Sequence, residues 1–140
     1  TVMIVDDSIV RGNTSQRIVE MAKEAGAKQV YFASSAPPII HPNVYGIDMP
    51  ARDEYVAHDR TIDEIREAIG ADWLIYQELP DLVEACLRTG DHNLVNFDCS
   101  CFNGVYVTGG ITEEYLARIG GARSDAAKSE SSVEHADAAE

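Results

Sequence analysis

The residues best suited to chemistry lie near the start of the chain, in VMIVDDSIVRGNTS from Val2 to Ser15. An apolar strand runs into two adjacent acids, a turn containing glycine, and a helix that begins with amide and hydroxyl side chains. Open α/β sheets bind ligands beyond the carboxyl ends of their parallel strands, and the next helix N-terminus aims free N–H groups and a partial positive charge at the same place. A phosphate dianion suits that position. Ser8, Asn13, Thr14 and Ser15 can add side-chain donors, while Gly12 lets the backbone approach closely or take positive φ. Ile9, Val10 and Arg11 complete the loop between acids and helix. Arg11 has two readings: it meets the phosphate, or it orients the turn through carbonyl contacts. Asp6 and Asp7, acceptors only when ionised, suit sugar hydroxyls or a hydrated magnesium ion. Phosphate at one end and a diol at the other describe a ribose 5-phosphate.

These groups need a frame, and the pattern along the chain supplies an α/β one. Val2 to Val5 is a short apolar run of the kind that forms a buried parallel strand. From Thr14, the apolar positions Ile18, Val19, Met21, Ala22 and Ala25 share a helical face, with Gly26 as the expected C-cap. Gln29 to Ser34 reads as a second strand, closing a βαβ unit with a right-handed crossover. Residues 35–51 hold four of the five prolines and predict an irregular extended connection. Thr61 and Glu64 have capping-box spacing, and the stripe Ile62, Ile65, Ile69 before Gly70 predicts a helix over 62–69.

Trp73 to Gln77 reads as a third strand. Pro80 opens a helix through Arg88 expected to bury Leu82, Val83, Cys86 and Leu87 before Gly90. Val105 to Val107 is expected to be an edge strand. Thr112 suits the N-cap of a last helix that carries Glu113 and Glu114 in its first turn and ends at Gly120 and Gly121. Tyr45 and Trp73 read as packing residues, and His41, His58, His92 and His135 as loop or surface residues without metal-ligand spacing.

Composition narrows the partners. The 140 residues carry 11 Lys and Arg against 24 Asp and Glu, a formal net charge of −13. Such a balance argues against nucleic acid and anionic membrane surfaces, which need broad phosphate neutralisation. No apolar run approaches the roughly 20 residues that span a bilayer. Three cysteines, Cys86, Cys99 and Cys101, do not make a disulfide framework, so a cytoplasmic setting is expected. The start at Thr1, inside a strand-like run, reads as a piece of a longer protein.

A phosphoacceptor receiver domain also opens on a strand and an acid pair, and carries an acid some forty residues later, as Asp48 stands here before Met49-Pro50. Its acid must end a buried strand, yet Pro42 and Gly46 interrupt the approach. It also needs a late strand-end lysine, and no Lys occurs between Lys28 and Lys128.

The opening segment resembles the phosphoribosyl pyrophosphate (PRPP) motif of type I phosphoribosyltransferases. The form DDSIVRG followed by Thr and Ser is similar to the glutamine-dependent amidophosphoribosyltransferases, the glutamine PRPP amidotransferases of purine synthesis. KQVYFASSAP, PNVYGIDMP, IGADWLIYQ with PDLVEA after it, and FNGVYVTG resemble the same family in the same order, over about residues 1–121. The resemblance implies an α/β fold: the parallel-sheet βαβ core of a type I phosphoribosyltransferase, incomplete, with a C-terminal helix. Residues 1–121 are then the C-terminal part of that domain, and 122–140 a flexible acidic tail rich in Ala and Ser.

Enzymes of this family transfer glutamine-derived ammonia to C1 of PRPP, giving 5-phosphoribosylamine, pyrophosphate and glutamate. By resemblance, Asp6 and Asp7 lie at the ribose hydroxyls and Mg2+, Ser8 through Ser15 form the 5-phosphate loop, and purine nucleotides inhibit at the same phosphate position. The catalytic Cys of the N-terminal glutaminase domain, the pyrophosphate loop and the loop that closes over PRPP are not found in this sequence. No catalytic residue is therefore carried over, and the isolated piece is expected to be inactive and the parent a homo-oligomer. Some relatives hold an iron–sulfur cluster partly through a CxxC before the FxGxY segment. Here that stretch reads Asp98-Cys99-Ser100-Cys101, where only Cys101 matches, so no cluster is expected and the two cysteines read as packed thiols. The alternative within the same fold is a non-catalytic regulator that senses PRPP or nucleotides.

Overall fold

The computed structural model describes residues 1–89 and 93–123. Three strands, β1 (Val2–Asp6), β2 (Val30–Ser34) and β3 (Trp73–Tyr76), form a parallel sheet in the order β1-β2-β3. Val2 pairs with Val30 and Asp6 with Ser34, while Tyr31 pairs with Trp73 and Ser34 with Tyr76. Helix α1 (Asn13–Glu24) joins the first two strands, and α2 (Ile62–Ile69) precedes the third. Then follow α3 (Leu79–Thr89), the short α4 (Ser100–Asn103) and α5 (Glu113–Arg123). The connection over residues 35–51 has no helix or strand, as its prolines require, and ends in a 3-10 turn, Arg52–Glu54.

Strand side chains alternate between faces, so β2 sends Val30, Phe32 and Ser34 to one side. That side is the core: Val30, Phe32, Leu74 and Tyr76 pack with Val19 of α1, Ile65 and Ile69 of α2, Ile9 and Val56. A second, smaller cluster joins Ile39, Met49 and Tyr55, with Val10, Cys101 and Phe102 against it. Capping holds α2 at both ends. Thr61 Oγ1 accepts from Glu64 N at 3.3 Å, Glu64 Oε2 accepts from Thr61 N at 2.7 Å, and Gly70 closes the helix at φ 72°. Lys23 Nζ donates to Gly70 O at 2.6 Å and Asp72 accepts from Val30 N at 2.8 Å, which braces α1, α2 and the sheet together.

Several expectations are corrected here. The first strand is parallel, but it is not buried: Val2, Met3 and Val5 are 41%, 56% and 68% exposed, because β1 is an edge of the described sheet and no element among the described residues covers its outer face. The whole outer face is open, with Met3, Tyr31 and Trp73 in one cross-strand row and Val5, Ala33 and Ile75 in the next. Trp73, 46% exposed, touches Tyr31 edge-on with ring centroids 5.8 Å apart. Helix α3 forms as expected but buries none of its residues: Leu82, Val83 and Leu87 are half-buried and Cys86 is exposed.

Residues 105–107 are not a strand. Val105 N donates to Asn103 Oδ1 at 2.9 Å, Gly104 and Gly109 take positive φ, and Tyr106 donates its hydroxyl to Pro42 O at 2.7 Å. That bonding leaves no ladder for a neighbouring strand. Helix α5 starts where Thr112 predicts, with Tyr115 N donating to Thr112 Oγ1 at 3.2 Å, but it runs through Gly120 and Gly121 to Arg123. The expected tail thus loses its first two positions to a helix. Its remainder, 124–140, with Gly90, His92 and His135, lies outside the described residues.

Candidate phosphate-binding site

Asp6 ends β1, and the loop Asp7–Gly12 carries the chain over the carboxyl end of the sheet into α1. Gly12 is the N-cap, left-handed at φ 81° and ψ −16°, and no side chain caps the helix. The first intrahelical bond runs from Gln16 N to Gly12 O at 2.8 Å. The N–H groups of Asn13, Thr14 and Ser15 therefore precede the helical ladder and carry the positive end of its dipole. Gly12 is also tightly packed. A Cβ there would stand 3.0 Å from Val56 Cγ2 and 3.4 Å from Ile69 Cγ2, so the loop lies directly on the core.

A cleft of about 620 Å³ opens in front of this helix end. Nine of the ten expected site residues line it: Asp6, Asp7, Ser8, Val10, Arg11, Gly12, Asn13, Thr14 and Ser15. Ile9 does not, because its side chain is 2% exposed within the main core. Asp6 Oδ1 accepts from Asp7 N at 3.0 Å, and Asp6 O accepts from Ser35 N at 2.9 Å, which leaves the exposed Asp7 carboxylate as the more open acceptor. Arg11 Nη2 lies 2.5 Å from Glu54 Oε2, an ion pair that ties the loop to the 3-10 turn. Val56 N donates to Val10 O at 2.8 Å and fixes the same two segments to each other.

The facing wall escaped sequence reasoning. Ile39, Ile47, Asp48, Met49, Pro50 and Cys101 line the cleft opposite the loop. They come from the proline-rich connection and from α4, where no periodicity marks a face, although PNVYGIDMP is one of the segments that carries the family resemblance. Burial, and then the Asp98 carboxylate, push the Cys101 thiol up, which keeps it protonated. Cys99 is held up by the same two causes. Both are half-buried, and Cys101 packs against the second cluster, as packed thiols should.

His41 and His58 stand apart from the cleft lining. His41 is half-buried in a loop, its ring 3.0 Å from where a Cβ on Gly104 would sit; burial and then the nearby Arg52 hold its pKa below the usual value. His58 is half-buried, with Nε2 3.6 Å from Asp59 Oδ2. Among the described residues no group of three or more His, Cys, Asp and Glu side chains converges on one metal position.

No family model matches the chain. Curated relatives do. The sequence is 55% identical over 130 residues to the amidophosphoribosyltransferase of Pseudomonas aeruginosa, covering 93% of this chain and 26% of the relative. It is 57% identical over 127 residues to that of Escherichia coli, covering 91% and 25%. The chain is similar to a segment of the amidophosphoribosyltransferases. It spans about a quarter of the length of the relatives it matches. In structure it is similar to the glutamine PRPP amidotransferase of B. subtilis complexed with ADP and GMP, at a TM-score of 0.65 and 44% identity over 76% of this chain and 23% of that one. These amidophosphoribosyltransferases are named as enzymes, which does not favour the regulator reading. Among the described residues no helix is long and apolar enough to cross a membrane.

Proposed function

We propose that this chain carries the ribose 5-phosphate half of a PRPP site, and that the protein it belongs to transfers glutamine-derived ammonia to C1 of PRPP to make 5-phosphoribosylamine, a step of purine synthesis. One observation carries the reading: an uncapped helix N-terminus and an acid pair share a single cleft at the carboxyl end of a parallel strand. The phosphate sits on the N–H groups of the first turn of α1, with the hydroxyls of Thr14 and Ser8 added. Asp7 and Asp6 accept from the ribose 2- and 3-hydroxyls.

Magnesium suits this pair as a hydrated ion, since Mg2+ keeps several waters and takes one or two carboxylates with substrate phosphate oxygens. When bound, it neutralises charge on the diphosphate. Two carboxylates without a third ligand group fit that role better than a dehydrated cage. Purine nucleotides compete for the same phosphate position in this proposal, as the nucleotides bound by the B. subtilis relative suggest. The glutaminase activity, the pyrophosphate loop and the homo-oligomer belong to the rest of the parent protein, in a cytoplasmic setting that suits three free cysteines. Residues 1–121 then act as part of one phosphoribosyltransferase domain.

Calorimetric titration of the chain with ribose 5-phosphate and with ribose tests the anchor. Binding of the phosphorylated sugar and none of ribose at equal concentration is expected, and equal responses to the two would remove the phosphate from this site. The isolated chain should release no pyrophosphate from PRPP and ammonia, because nothing in the cleft closes PRPP off from water. Ammonia-dependent pyrophosphate release above blank would overturn that expectation.

A further inference from the structure

The wall opposite the phosphate loop is made of Ile39 and residues 47–50, from a stretch that forms no helix or strand, and of Cys101 in α4. Without a backbone ladder, such a segment keeps its shape through side-chain partners. Asn43, 2% exposed, supplies several. Its Oδ1 accepts from Tyr45 N at 2.8 Å and from Ile47 N at 3.3 Å, so the turn leading to Asp48 winds about one amide oxygen. Its Nδ2 donates to Asp98 Oδ2 at 3.3 Å.

Asp98 in turn holds the start of α4. Its Oδ1 accepts from Ser100 N at 3.0 Å and its Oδ2 from the hydroxyl of Ser100, a fully buried residue, at 3.2 Å. One turn on, Cys101 O accepts from both Ile40 N and His41 N at 3.1 Å. Two pieces of the wall, far apart in sequence, thus meet through one amide–carboxylate pair and two backbone hydrogen bonds. An amide suits this place, because its oxygen accepts from two N–H groups while its nitrogen donates to a carboxylate.

We propose that Asn43, acting through Asp98, is a positioning residue that sets the stance of the Ile47–Pro50 wall over the phosphate loop, and thereby favours ligands that span the cleft over a bare phosphate. This rests on the phosphate-loop reading above. Neither Asn43 nor Asp98 lines the cleft, so both act through the wall.

Asn43→Asp is nearly isosteric, keeps the acceptors for Tyr45 and Ile47, and sets a carboxylate against Asp98. The double variant Asn43→Asp/Asp98→Asn restores a donor and an acceptor between the two positions with the polarity reversed, the Ser100 hydroxyl then turning from donor to acceptor. Amide exchange of the ligand-free chain and titration with ribose 5-phosphate and inorganic phosphate read the two levels separately. In the single variant, exchange over residues 43–50 should quicken by about tenfold while 62–76 stays as in the unaltered chain, the size expected for losing a hydrogen bond to a charged group. Ribose 5-phosphate should weaken by about tenfold and phosphate by less than about twofold, by the same reasoning. The double variant should recover both. Unchanged exchange in the single variant, no recovery in the double, or equal weakening of the two ligands would overturn the proposal. If the unaltered chain binds neither ligand, the phosphate reading falls and the selectivity falls with it, while the exchange arm separately reports whether the latch holds the loop.

Discussion

Thr14 and Asp7 divide the proposed labour of the cleft, and separate substitutions can tell them apart. Thr14→Val removes a hydroxyl donor to a dianion, worth about 1.5–3 kcal/mol, so phosphate, AMP and PRPP should all weaken alike. Asp7→Asn removes an ionised acceptor, so Mg–PRPP should weaken strongly and inorganic phosphate hardly at all. Calorimetry on a full-length relative with the same motif measures both; loss of phosphate binding in Asp7→Asn alone would reverse the assignment. Gly12 makes a second case. A side chain there must adopt left-handed backbone, costing roughly 1–2 kcal/mol, and also meets Val56 at 3.0 Å, so Gly12→Ala should lower the urea midpoint as well as phosphate affinity. The left-handed turn at Gly12 was readable from residue type, since few side chains tolerate that backbone. The Arg11–Glu54 pair was not, because Glu54 lies in an aperiodic stretch more than forty residues away and sequence spacing carries no information about such a meeting.

The elements most readable from sequence are those whose local signals agree with their packing. Helix α2 has its box and its glycine stop where expected, and Ile65 and Ile69 of its isoleucine stripe are buried, while Ile62 in the first turn is exposed. Helix α3 shows the opposite: its apolar stripe is as clear, yet no element of the described chain covers it, since a periodic pattern says that a face exists and not what meets it. Residues 105–107 failed for a related reason, as alternating β-branched residues suit a strand only where a partner strand is available. Strand β3 offers a direct test. Tyr76 ends it on the core face, with its hydroxyl buried and, among the described residues, without a hydrogen-bond partner. Tyr76→Phe should therefore stabilise the chain by about 1 kcal/mol, read as a higher urea midpoint at neutral pH. Burial pushes the Tyr76 pKa up to about 12 from 10.0. A raised pKa means this stability is complete below pH 10 and is lost as pH rises toward 12, so the parent should soften over that window more than Tyr76→Phe does.

At the scale of the whole molecule, a net charge of −13 is combined with an open sheet face and an uncovered helix. Parallel sheets are almost always covered on both faces, so this chain exposes surface that its fold class normally hides. Concentration-dependent association and binding of an apolar dye are expected. High salt should strengthen the association by screening the like charges. A monomer by light scattering at high micromolar concentration, with no dye uptake, would count against it. The same face carries its own reporter. Trp73 is the chain's single tryptophan and sits at 46% exposure in the row with Met3 and Tyr31, away from the cleft lining. Its emission should shift to shorter wavelength when that face is covered and stay still when a phosphate ligand binds, which turns one fluorescence spectrum into separate readings of assembly and of ligand occupancy.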